Sequence, residues 1–213
     1  MARVRRSPDA KPRREEILDA ATRLFAELGY DGTRMSELAS EVGVKKSSLF
    51  YHFSSKDLLY AAVLDRVISA VVEAVSYAGA NEGTSFVERL DALTDAVTTV
   101  LTRYPYAARL ALREAMDWGP VAREKLADSV QLMFTGSATF FEAGQDAGVF
   151  ARGDARQLVL TLAGAHFLTF GIGPIAERFV GCSVFDPEFV EARRRALREQ
   201  VRALVGIAPV RPK

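Results

Sequence analysis

Residues 17–59 read ILDAATRLFAELGYDGTRMSELASEVGVKKSSLFYHFSSKDLL. Ile17, Ala20, Ala21, Leu24, Phe25 and Leu28 recur at the three-and-four spacing of one helix face. A helix is therefore expected from Pro12 or Arg13, where Pro is tolerated in a first turn, to Gly29, whose missing Cβ suits a left-handed cap. After a loop over 30–33, Met35, Leu38, Ala39 and Val42 mark a short second helix that ends at Gly43. A third is expected from Lys45 to Phe50. Two short helices joined by a Gly-containing turn, the second rich in small polar and basic residues, describe a helix-turn-helix. Ala39 and Leu38 let the helices cross closely, while Val44 and Leu49 anchor the second one. Lys45, Lys46, Ser47 and Ser48 are left facing out, able to donate to base edges or phosphates and small enough to approach them.

Working outward, Ser54 and Asp57 are spaced as an N-cap and its N3 partner, so a fourth helix is predicted through Leu59, Val63, Val67, Val71 and Val75. Further helical stretches run from Phe86 to Tyr104, Tyr106 to Trp118, Val121 to Ala147, Ala155 to Phe170 and Pro187 to Val205. Gly79–Gly83, Gly119–Pro120, Gly148–Gly153 and Gly171–Pro187 separate them. Alternating strand patterns are few. The expected fold is all-α: a basic arm over 1–12, a helix-turn-helix domain over 13–54, a helical body over 55–206 and a tail over 207–213.

With 213 residues, 49% apolar and 26% charged, the chain has the composition of a soluble globular protein. Its longest apolar stretch, Leu158 to Gly173, is broken by His166 and glycines and falls short of a bilayer crossing. No secretory h-region follows the basic start, and the lone Cys182 fits a reducing cytoplasm and no disulfide. Net charge is +1, too small for a protein that coats DNA without sequence choice. Six of the cations lie within the first 14 residues, against one acid, Asp9. That arm reads either as a solvated tail or as a phosphate-contacting extension.

The run from Ile17 to Leu59 resembles the tetracycline-repressor (TetR) family of bacterial transcription regulators. Phe25, Gly29, Gly32-Thr33, Ala39, Gly43-Val44, Leu49, Tyr51-His52-Phe53 and Lys56, with their gaps, carry the resemblance. It implies a three-helix DNA-binding head, a helical body that binds a small effector, and a homodimer through the last two long helices. Position by position, Lys45, Lys46, Ser47 and Ser48 match residues that touch bases or nearby phosphates. Tyr51 and His52 match aromatics that meet the DNA backbone, and Thr33 and Lys56 match phosphate contacts. Phe50 stands where many relatives have Tyr, removing one hydroxyl, and Ser47 stands where Gly is common.

Candidate effector contacts in the body are Tyr104, Tyr106, Arg109, Arg113, Glu114 and Trp118, with Phe134, Phe141, His166 and Phe170 as apolar lining or core. Val159, Leu162, Ala163, Phe167 and Phe170 form one apolar stripe. Phe189, Ala196, Leu197, Val201, Leu204 and Val205 form another, and two copies of these stripes are expected to build a four-helix seam. Arg193, Arg194, Arg195, Arg198 and Arg202 are read as a solvated flank with ion pairs at the dimer rim. Two histidines and one cysteine lack metal-ligand spacing, so no cofactor is expected. The function read from the sequence is a repressor that releases a palindromic operator when a largely apolar effector binds. An all-α enzyme, for which no nucleophile–base pair or phosphate loop is visible, and an effector-independent DNA-binding protein are the alternatives.

Overall fold

The computed structural model describes residues 14–79, 84–117, 119, 123 and 127–207. The basic arm, Trp118 and the end of the tail lie outside these residues. Ten helices and no strand occur among the described residues: α1 (Arg14–Gly32), α2 (Met35–Val42), α3 (Lys46–His52), α4 (Lys56–Gly79), α5 (Phe86–Arg103), α6 (Ala107–Asp117), α7 (Ala127–Asp146), α8 (Ala155–Gly171), α9 (Gly173–Val180) and α10 (Pro187–Leu204). The all-α expectation holds.

Most of the predicted face of α1 is buried: Ile17, Ala21, Leu24 and Phe25, joined by Leu18, pack with Leu38 and Ala39 of α2, Leu49 of α3 and Leu59, Tyr60 and Val63 of α4, while Leu28 at the end of that face is 48% exposed. At Gly29 the backbone leaves the helical region (φ 78°, ψ 176°), which only glycine adopts without strain, and one further turn follows. Leu110 of α6 belongs to the same apolar cluster, so the head shares its core with the body. Polar clamps reinforce that junction. Arg66 of α4 donates to Asp19 (2.8 Å) and to the Thr22 hydroxyl (2.8 Å) of α1.

Three local expectations need correction. Ser55, not Ser54, caps α4, its hydroxyl accepting from the Leu58 N–H at 3.1 Å, and Asp57 instead accepts from the Tyr30 hydroxyl. The predicted break over Gly171–Pro187 contains α9, which bends 81° away from α8. Gly and Pro there start a helix, because Pro174 sits in the first turn, where its missing N–H costs nothing. The arginines of α10 bind their own protomer: Arg202 pairs with Asp91, Arg198 Nε donates to Asp95 at 2.8 Å, and Arg194 Nη1 to the Asp95 carbonyl at 3.0 Å. Spaced four apart on α10, they grip two aspartates spaced four apart on α5.

The same packing corrects the dimer stripes. Leu197 (0% exposed) and Val201 (1%) lie inside the protomer, where α10 rests on α5 and α8, and a side chain already enclosed there cannot line a seam between copies. Leu162 and Phe167 turn into an internal chamber. Leu204 stays half exposed, and on the opposite face of α8 Leu160 and Leu168 are 54% and 53% exposed with Gly164 open between them. Among the described residues no single helix is long and apolar enough to cross a membrane.

Candidate DNA-reading surface and effector chamber

The turn between α2 and α3 closes as the sequence requires. Gly43 adopts φ 77°, ψ 34°, its N–H donates to the Ser40 carbonyl at 3.2 Å, and the Val44 N–H to the Ala39 carbonyl at 2.9 Å. Lys45 caps α3 in an extended conformation, and its carbonyl takes the first helical bond from Ser48 N (2.9 Å). Leu49 is wholly buried and holds the helix against the head core. The residues around it turn outward: Lys45, Lys46, Ser47, Phe50 and Tyr51 are exposed, Ser48 and His52 half so. Tyr51, 78% exposed, meets the His52 ring edge-on at 5.6 Å, and Lys46 Nζ lies 5.6 Å from the Phe50 ring centre. Seven of the eight sequence candidates thus share the surface of α3 and the start of α4.

Thr33 is the exception. It is 2% exposed, and its hydroxyl donates to the Gly29 carbonyl at 2.8 Å, so its side chain secures the α1–α2 turn and is not on the surface. Arg34 beside it carries the exposed side chain, which sequence reading passed over.

In the body, α4, α5, α6, α7 and α8 line a partly open chamber of two lobes, about 250 Å³ near the head and about 100 Å³ at the far end. Met133, Phe134, Ala163 and Phe167 line both and so mark the neck. Along α4 the wall runs from Leu64 to Val75, a rise of about 16 Å. Four predicted contacts meet here: Glu114 in the near lobe, Phe134 at the neck, Phe141 and His166 in the far lobe. His166 Nδ1 lies 2.8 Å from the Leu162 carbonyl, which can only accept, so a neutral ring carries its proton there. Its Nε2 is buried without a partner. Burial, aided by the Arg193 charge, holds the His166 pKa below the ordinary histidine value, against the pull of the Leu162 and Thr94 carbonyls.

Glu114 joins the chamber to the head. One carboxylate oxygen accepts from the Tyr60 hydroxyl on α4 and the other from the Gly119 N–H at 3.2 Å. The Tyr60 ring meets Phe25 and Tyr30 edge-on, with centroids 4.7 and 5.0 Å away. Tyr30 in turn lies under Lys56 Nζ, 4.2 Å from its ring centre, and donates its hydroxyl to Asp57. Burial and that bond push the Tyr30 phenol up to about 12. A contiguous set of rings therefore connects a chamber carboxylate to a cation beside the reading helix. Tyr60 escaped sequence reading because it looks like any other core aromatic.

The remaining candidates lie elsewhere. Tyr104 and Tyr106 border an open cleft between α1 and the start of α6, with the Arg66 guanidinium 5.4 Å from the Tyr104 ring. Phe170 packs with Leu101, Ala108 and Val184 in a separate core. Arg113 reaches the Gly29 bend, Nη1 lying 3.1 Å from where a Cβ would stand, and neither it nor Arg109 lines either lobe.

Two known sequence families match this chain: one described as "Bacterial regulatory proteins, tetR family" over residues 17–63, the other as "Tetracyclin repressor-like, C-terminal domain" over 87–201. The chain belongs to the TetR family. Like its relatives it is a DNA-binding transcriptional regulator, of a family whose members typically repress and bind small ligands. The HTH-type transcriptional regulator RutR of Escherichia coli (strain K12) is 25% identical over 204 residues, spanning 93% of this chain and 94% of that protein. IcaR of Staphylococcus aureus (strain Newman), a negative transcriptional regulator of the biofilm operon icaADBC, is 49% identical over 47 residues, 22% of this chain and 25% of IcaR. The crystal structure of AibR in complex with isovaleryl coenzyme A and operator DNA superposes with a TM-score of 0.70. It is 19% identical and covers 90% of this chain and 97% of AibR, a likeness of fold. RutR and IcaR are both transcriptional regulators.

Proposed function

We propose that this TetR-family protein is a cytoplasmic homodimeric repressor that holds a palindromic operator and releases it when a small, largely apolar effector fills the α4–α8 chamber. The observation that carries the reading is the Glu114–Tyr60–Tyr30–Lys56 chain of contacts, which makes the position of the reading head depend on the chamber. Residues 13–54 act as the reading head and 55–206 as the effector-binding and dimerising body. Lys45, Lys46, Ser47 and Ser48 face bases, while Tyr51, His52 and Lys56 face the DNA backbone. Repression finds support in the IcaR head, and the pairing of an operator-binding head with a body that takes a small ligand finds support in AibR.

The two copies meet through the outward face of α8, where Leu160, Gly164 and Leu168 lie one turn apart and Gly164 permits close approach, and through the exposed Leu204 of α10. A two-fold dimer presents two copies of α3, so the operator has matching half-sites about one helical turn apart or a multiple of it. Footprinting on the operator should show two symmetric protected half-sites that fill together. Protection of one asymmetric half-site at every protein concentration would overturn the reading.

A further inference from the structure

We propose that the chamber selects organic cations: an ammonium group seated on Glu114, carried by an apolar body that passes Phe134 toward His166. The inference rests on the chamber being the effector site and adds the chemical class of its occupant. Glu114 is 6% exposed, and its two oxygens take only neutral donors, the Tyr60 hydroxyl and the Gly119 N–H. Among the described residues no cation stands within ion-pair distance of it. A carboxylate withdrawn from water without a countercharge is costly, and a ligand that brings the countercharge recovers that cost. Arg113, next to it in the chain, extends toward the Gly29 bend, so its charge is felt at the Tyr60 hydroxyl without pairing with Glu114.

The rest of the lining agrees. Neither lobe is lined by Lys or Arg, so a carboxylate or phosphate headgroup would find no partner and would meet the Glu114 charge. Phe134 and Phe167 line the neck, and aromatic rings attract cations over their faces. The far lobe offers acceptors in the oxygens of Thr94 and Ser137, whose own hydrogens go to the Leu90 and Met133 carbonyls at 2.9 Å. An N–H or O–H at the distal end of the ligand completes them. Because the ammonium competes with Tyr60 for Glu114, binding also loosens the ring contact that supports Lys56.

The test is calorimetric titration of the full-length protein with decyltrimethylammonium, 1-decanol and decanoate, each below its micellar concentration. The ammonium should bind at least about tenfold tighter than decanoate. Glu114→Gln, which keeps an acceptor for Tyr60, should reduce the ammonium to about the affinity of decanol while leaving decanol unchanged, and Tyr60→Phe should tighten the ammonium by removing its competitor. Decanoate binding as tightly as the ammonium, or a preference that survives Glu114→Gln, would overturn the cation assignment. Ala163→Phe, which fills the neck, tests the site itself. All probes should weaken in this variant at unchanged helix content. If they bind it as they bind the wild type, or if none binds the wild type, the chamber is not the effector site.

Discussion

Lys46 and Lys56 carry the same charge and are expected to do different work. Lys46 projects from the exposed first turn of α3, whereas Lys56 lies over the Tyr30 ring at the start of α4. Lys46→Ala should cost about 1–3 kcal/mol on the operator and flatten its advantage over scrambled DNA. Lys56→Ala should weaken both DNAs alike and lower the slope of log affinity against log salt by about one. Salt titrations on the two DNAs separate the outcomes, and variants that alter neither slope nor preference would place the reading surface elsewhere. His166 makes a prediction about stability. Its pKa is held below the ordinary 6.5 in the folded chain, so on acidification the unfolded state binds the proton first. The stability linked to this group is whole above pH 6.5 and declines as pH falls from there toward the lower folded-state value. His166→Gln should remove that part of the acid loss, seen as a smaller drop in Tm between about pH 7 and pH 5 than in the wild type.

At the scale of elements, the proposed assembly predicts that α8 and α10 separate folding from association. Leu160→Glu with Leu168→Glu alters only the outward face of α8 and should give monomers of unchanged helix content in sedimentation. Leu197→Ala opens a hole beneath α10 and should cost the protomer about 2–5 kcal/mol without changing how the folded chain associates. The reverse pattern would return the dimer seam to the buried stripe. Periodicity made nearly every helix legible, since Ile17, Ala20, Ala21, Leu24 and Phe25, which mix odd and even spacings, can share a face only at helical pitch. It could not orient α8: Leu158, Val159, Leu160 and Leu162 put apolar groups all around that helix, and only packing shows that Val159 and Leu162 turn inward while Leu160 turns out. Nor could it separate Ser54 from Ser55 as a cap, or a Gly-Pro break from a Gly-Pro helix start, because either residue chemistry suits both roles.

For the whole molecule, the head was legible because its contacts are local: seven of the eight reading residues fall within the twelve from Lys45 to Lys56. The chamber was not, because it is made by tertiary packing. Glu114 and His166 come from helices far apart in the chain that α6–α8 contact brings together, while Tyr104, Tyr106 and Phe170, equally aromatic in sequence, are spent at the head cleft and in a second core. In the proposed mechanism the same packing lets two distant events share one free energy, since α4 passes from the chamber wall at Val75 to Lys56, the residue proposed to face DNA. The most direct measurement is the operator affinity of the full-length dimer with and without a saturating chamber ligand, found by thermal-shift screening and located by its loss in Ala163→Phe. Operator affinity should fall about 5- to 150-fold, corresponding to a coupling of about 1–3 kcal/mol, and operator DNA should weaken that ligand by the same factor. A ligand that fills the chamber tightly and leaves operator affinity unchanged would contradict the release mechanism.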